Sequence, residues 1–240
     1  RISLSYNLDT KMTALQGASS LPSSCLKPLM PTNLKKRLAA HRIDFSGSLQ
    51  SDFQFGPTVS SNFFKHFRIR TSVADATAKG LKFADIAARL ARNENTVKVD
   101  SFTAEVGKGG TLKGKGDFDL KAKTFRGEGS VNADPLEFLP VIESDHLSSR
   151  IDALDPGDSL LRFDGSCSGQ FGDLDQLCVS GRLMGEDFSY RQASMDSFQS
   201  RFTITNRVVS FNEFMLKRPE GDAHGDVSID LNSKTVEFDA

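Results

Sequence analysis

Residues 195–218 read MDSFQSRFTITNRVVSFNEFMLKR, and residues 83–106 read FADIAARLARNENTVKVDSFTAEV. Laid over one another, they carry one pattern twice. Met195 and Phe198 fall on Phe83 and Ile86, and Val209, Phe211 and Phe214 fall on Val97, Val99 and Phe102. Alternation of apolar and polar residues marks a strand with one buried face. In both copies the alternation slips by one residue at the same two places, between Phe83 and Ile86 and between Val99 and Phe102. Such a slip sends every later side chain to the other face unless a bulge absorbs it. Shared slips are harder to obtain by chance than shared alternation. Taken alone, residues 83–93 also suit an amphipathic helix, with Phe83, Ile86, Ala87 and Leu90 on one side. Their counterpart is rich in Phe, Thr and Ile and alternates. One repeat unit has one structure, so both copies are predicted to be strands.

The repeat extends outward. FDLKAKTF begins at Phe118, IDLNSKTV at Ile229 and YNLDTKMT at Tyr6, a period of 111–112 residues, and LRFDGS (161–166) answers RIDFSGS (42–48). A fixed long period is the signature of a repeat architecture. It also disposes of a near-match to a phosphate-binding loop, GGTLKGKG at 109–116, in which Gly116 stands where a magnesium-binding hydroxyl is needed. The counterpart, EGDAHGDVSIDL at 220–231, keeps glycines (Gly221 and Gly225 for Gly110 and Gly114) and loses the lysines. Turn chemistry is what persists.

Composition narrows the function. The 30 Lys and Arg offset 31 Asp and Glu, which removes the electrostatic case for nucleic acid. Nineteen Phe and nineteen Gly suit short strands and tight turns. No stretch of 18 apolar residues is present, so no segment crosses a membrane as a helix. His41, His66, His146 and His224 are far apart and lack metal-ligand spacing, so neither a cofactor nor a metal is expected. GSCSG (165–169) imitates a nucleophile elbow around Cys167, but residues 170–184 read as strand, turn and strand, and an elbow needs a helix. No catalytic residue emerges and no enzyme is expected. A hairpin turning near Gly172-Asp173 would set Cys167 and Cys178 opposite each other, as a disulfide or as two small apolar side chains.

The expected organisation is residues 1–41 as the end of one repeat plus a helical connector, 42–133 as a β-repeat, 134–158 as a second connector and 159–240 as a second, truncated β-repeat. In the second connector Asp134 suits a cap, Pro135 a first helical position, and Leu136, Leu139 and Ile142 one shared face. The strands have one greasy face and one polar face. A sheet of this kind must close on itself, be covered, or bury something else. Candidate residues of the greasy face are Val97, Val99, Phe102, Phe118, Leu120, Phe202, Ile204, Phe211, Phe214, Ile229 and Phe238.

The run GKGDFDLKAKTFRGEGSVNADPLEFLPVI (114–142) resembles the AsmA-like and TamB-like proteins of bacterial envelopes. The features that match are the glycine-punctuated strand before DFDL, the alternating strand at 124–133 and DPLEFLPVI as a short connector. The resemblance implies an all-β chain: an elongated, curved, U-shaped antiparallel sheet of tandem repeats, a β-groove with short helical connectors and an apolar interior. It further implies that the candidate residues bind phospholipid conducted between inner and outer membranes. The expected location is the periplasm, with an inner-membrane anchor outside this stretch and membrane components as partners at the ends of the longer protein. The alternative is a structural or adhesive cell-surface β-repeat protein with a closed core.

Overall fold

The computed structural model describes residues 2–30, 32–40, 42–58, 64–141, 154–157, 159–233 and 235–239. The chain is all-β with short helical connectors. The first strands are β1 (Ile2–Asn7) and β2 (Met12–Pro22), followed by helices α1 (Ser23–Leu29) and α2 (Thr32–Ala40). Then come β3 (Ile43–Phe45), β4 (Ser48–Thr58), β5 (His66–Ala78), β6 (Leu81–Asn93), β7 (Thr96–Val106), β8 (Gly110–Asp119) and β9 (Thr124–Ala133). A 3-10 helix, Pro135–Val141, precedes β10 (Leu154–Asp155) and β11 (Leu161–Gln170). The remaining strands are β12 (Asp173–Tyr190), β13 (Ala193–Thr205), β14 (Val208–Arg218), β15 (Gly221–Asp230) and β16 (Thr235–Asp239).

These sixteen strands belong to one sheet, whose hydrogen-bonded order follows the chain from β1 to β16, with β3 set beside β5 and β10 beside β12. β1 and β16 are its two ends, so the sheet does not close into a barrel. By packing the chain forms two compact units, Arg1–Val106 with Lys113–Ala122, and Gly107–Leu112 with Lys123–Ala240.

The repeat holds at the level of elements. Adding 112 to the bounds of β6 and β7 reproduces those of β13 and β14, and adding 111 to those of β8 reproduces β15. Residues 83–93, which suit a helix when read alone, lie inside β6 and are strand. The short strands repeat too: Ile43 of β3 pairs with Ala78, as Leu154 of β10 pairs with Tyr190. α1 and the 3-10 helix, each seven residues, occupy corresponding positions 112 residues apart. The 3-10 helix is opened by Asp134, whose Oδ1 accepts the Leu136 N–H at 2.8 Å. Ile142, His41 and His146 lie outside the described residues.

One turn recurs three times, and it explains why FDLKAKTF, IDLNSKTV and YNLDTKMT align. Asn7 Oδ1 accepts the N–H groups of Asp9 and Thr10 at 3.0 and 2.9 Å. Asp119 Oδ1 accepts those of Lys121 and Ala122, both at 2.8 Å. Asp230 Oδ1 accepts those of Asn232 and Ser233 at 2.7 and 3.2 Å. A short carbonyl or carboxylate side chain that captures backbone donors two and three residues on fixes the chain reversal. The later slip of the alternation is a bulge in both copies. The β6–β7 register shifts between Arg89 and Leu90 around Asp100, and the β13–β14 register shifts between Gln199 and Arg201 around Glu213. Near the earlier slip, β5 and β12 each carry an aspartate in the left-handed region, Asp75 (φ 50°) and Asp187 (φ 47°).

Candidate functional site

Antiparallel partners share a face, so the registers sort the side chains. In the first unit, Leu15, Phe55 and Phe67 form one transverse row across β2, β4 and β5. Gly17, Phe53, Ile69, Leu90 and Val99 form the next, across β2, β4, β5, β6 and β7. Phe53 and Phe55 stack at 5.9 Å between ring centroids, and Phe55 and Phe67 at 5.8 Å. The opposite face carries Gln54, Arg68, Asp52, Arg70 and Arg89.

The second unit repeats this division. Phe163 pairs with Leu183 and Val131, and Phe202 pairs with Gly181 and Phe211. Val209 pairs with Ile204 and Ile229, and Phe238 with Val227. An aromatic line runs along this face, with Phe163 to Phe202 at 5.9 Å edge-on and Phe202 to Phe211 at 5.3 Å. Gly165 and Gly181 face each other across β11 and β12, and the Phe163 ring lies over both. A Cβ on Gly181 would come within 2.7 Å of Phe163 Cε2. The paired glycines thus clear the sheet surface for the ring. Farther along, an apolar cavity of about 310 Å³ is bounded by Leu154, Leu161, Phe188, Met195, Phe198 and Leu216.

The registers place nine of the eleven candidates by their cross-strand partners. Val97, Val99 and Phe102 lie on β7 opposite Arg92, Leu90 and Ala88. Phe202, Ile204, Phe211, Phe214, Ile229 and Phe238 lie on the β13–β16 apolar face, where Phe214 and Phe238 stack at 5.9 Å. Phe118 is in β8, at the position that Ile229 holds in β15. Leu120 stands past the end of β8, 44 % exposed, with its N–H donating to Asn95 O at 2.8 Å. Sequence reasoning missed Phe53, Phe55, Phe67, Ile69 and Phe163, although DFQF and HFRI alternate visibly. It also missed the cavity residues Phe188 and Tyr190, which follow the left-handed Asp187.

Among the described residues, the buried apolar side chains are Ala76, Leu81, Ala104, Val106, Ala133 and Pro156. The aromatic rows are half-buried, neither enclosed nor fully exposed, and among the described residues no second sheet lies over them. No described group of three or more His, Cys, Asp or Glu is placed to hold a metal. No described helix is long and apolar enough to cross a membrane. Two acids of the described residues are perturbed, Asp44 in β3 and Asp230 at the end of β15. The Lys27 ammonium, 2.6 Å from Asp44, and the Phe45 N–H lower the Asp44 pKa. The N–H groups of Asn232 and Ser233 lower that of Asp230.

The two cysteines of the β11–β12 hairpin correct the expectation that they oppose each other. The turn is Phe171-Gly172, closed by Gln170 pairing with Asp173, and a register shift between Ser168 and Gln170 leaves Cys167 paired with Val179 and Cys178 with Ser168. One register step puts them on opposite faces, and all three cysteines are free. GSCSG runs straight through β11, without the helix an elbow requires.

No family model, curated protein or solved structure matches this chain.

Proposed function

We propose that the apolar face holds phospholipid acyl chains and that this stretch is part of a β-groove conducting phospholipid between two membranes. One observation carries the reading. The sheet has a face of phenylalanines in ring contact, still partly open to water, and among the described residues neither barrel closure nor a second sheet covers it. Each acyl methylene removed from water contributes about 0.8 kcal/mol, so a 16-carbon chain offsets roughly 12 kcal/mol before the cost of ordering it. The contact is apolar and non-directional, so it holds a chain without fixing its position. That is what movement along a groove requires. The polar face stays in water, and the recurring turns fix the register that keeps the two faces apart. The periplasmic setting and the inner- and outer-membrane partners belong to this proposal through the resemblance of 114–142 to the AsmA-like and TamB-like proteins. A structural or adhesive protein with a closed core would need this face fully buried, whereas its phenylalanines keep some access to water and the sheet is open.

The test is extraction of the chain purified in mild detergent, followed by mass spectrometry. Co-purified phospholipid, reduced in Phe211→Glu, is the expected result. A lipid-free, stable, monodisperse protein would favour the closed core instead.

A further inference from the structure

On the opposite, polar face of the first unit lies a hollow of about 820 Å³ whose polar lining includes Gln16, Asp52, Arg68, Arg70, Arg89 and Asp100. We propose that this hollow is a binding site for a phosphate-bearing anion, with Arg68, Arg70 and Arg89 as its ligands. The registers place Arg70 directly opposite Arg89 and put Asp52 on the other side of Arg70. Arg68, opposite Ala91, is a diagonal neighbour of Arg89. Like charges directly opposite one another destabilise a sheet. None of the three guanidiniums makes a hydrogen bond or ion pair with a described residue. Asp100 also lines the hollow, but its Oδ1 is 3.4 Å from Lys98 Nζ, whose charge offsets it. Three guanidiniums thus face two carboxylates, Asp52 and an Asp100 already shared with Lys98. A phosphate oxygen set is the complement of such a group, because guanidinium donates paired, charge-assisted hydrogen bonds to it.

The second repeat is an internal control. It has the same row, Asp164 opposite Arg182 and Arg182 opposite Arg201. There one arginine of the row, Arg201, finds its own carboxylate, and Arg162, two residues from Asp164 on β11, takes up that one. Arg201 Nη1 is 3.1 Å from Glu213 Oε1, and Arg162 Nε is 2.6 Å from Asp164 Oδ2. Counting back 112 residues, the first repeat has Ser101 where Glu213 would be, Arg68 for Ser180 and Gln50 for Arg162. The first difference removes a carboxylate beside Arg89, and the second adds a guanidinium. The third runs the other way and leaves Asp52 to face Arg70 alone. The net result is more uncompensated positive charge in the first copy. The carboxylate that offsets Arg201 in the second repeat has no counterpart beside Arg89, whose charge is left to an external anion.

The experiment uses the 240-residue chain with two probes, inorganic phosphate by calorimetry and phosphatidylglycerol vesicles by flotation. Ser101→Glu copies the second repeat and leaves the apolar face untouched. It is expected to lower affinity for whichever probe binds by about ten- to a hundredfold, the scale of losing a charged hydrogen bond. Arg89→Gln should do the same, while Asp52→Asn should tighten binding. In low-salt, phosphate-free buffer Arg89→Gln should also raise the melting temperature by relieving the Arg70–Arg89 repulsion. Binding of free phosphate that Ser101→Glu abolishes identifies a soluble phosphorylated ligand. Vesicle binding alone, lost in the same variant, identifies a lipid headgroup. Failure of both probes to bind, or binding unchanged in Ser101→Glu and Arg89→Gln, overturns the proposal.

Discussion

Phe202 and Phe211 face each other across β13 and β14, ring centroids 5.3 Å apart, on the same face as Phe163. Both rings remain partly open to water. Their contact adds about 0.5–1.5 kcal/mol beyond area burial. A double-mutant cycle with Phe202→Ala and Phe211→Ala, read by urea unfolding, should return a coupling of that size. A coupling near zero would mean that the rings are not stacked in solution.

Gly181 keeps the surface beneath the Phe163 ring clear, and an added Cβ would also come within 2.4 Å of the Asp164 carbonyl oxygen. Gly181→Ala should destabilise the chain by about 1–3 kcal/mol, the usual cost of overpacking. Adding Phe163→Leu should recover only part of this, because the carbonyl clash persists. Full tolerance of Gly181→Ala in thermal melts would contradict the placement of the ring.

Acidification should weaken the Asp230 turn. The N–H groups of Asn232 and Ser233 stabilise the carboxylate, so its folded pKa lies below the ordinary 3.8. A depressed pKa means stability that is present above the unfolded value and is lost as pH falls through the folded one. Asp230→Asn should keep the turn, as Asn7 does at the corresponding position, and remove this part of the pH dependence. Carboxyl carbon shifts followed by NMR across the acid range would measure it. A midpoint at or above 3.8 would show that the two N–H bonds do not form.

The sequence carried the repeat because turns and alternation are local. The Asn7, Asp119 and Asp230 turns, the β6–β7 and β13–β14 hairpins and the bulge near Phe102 and Phe214 all leave marks within a dozen residues. Register was harder to read. The β11–β12 register shifts between Ser168 and Gln170, and that irregularity, which the alternation does not announce, leaves Cys167 and Cys178 on two faces rather than one. The Arg70–Arg89 pair was invisible for the same reason. Nothing near either residue announces the other until β5 and β6 are set in register.

The free thiols give a simple check of that register. Alkylation of the denatured, unreduced chain should label Cys25, Cys167 and Cys178 alike. A Cys167–Cys178 disulfide in the purified chain would mean that β11 and β12 pair one residue away from the observed register.

The most direct test of the lipid-bearing face compares two adjacent positions on one strand. Phe211 pairs with Phe202 on the apolar face, whereas Ser210 pairs with Thr203 on the polar face. A photoreactive benzophenone side chain is placed at one position or the other and irradiated with the protein beside membranes. Phospholipid adducts at 211 and none at 210 are expected. Equal adducts at both positions, or none at 211, would contradict an acyl-binding face.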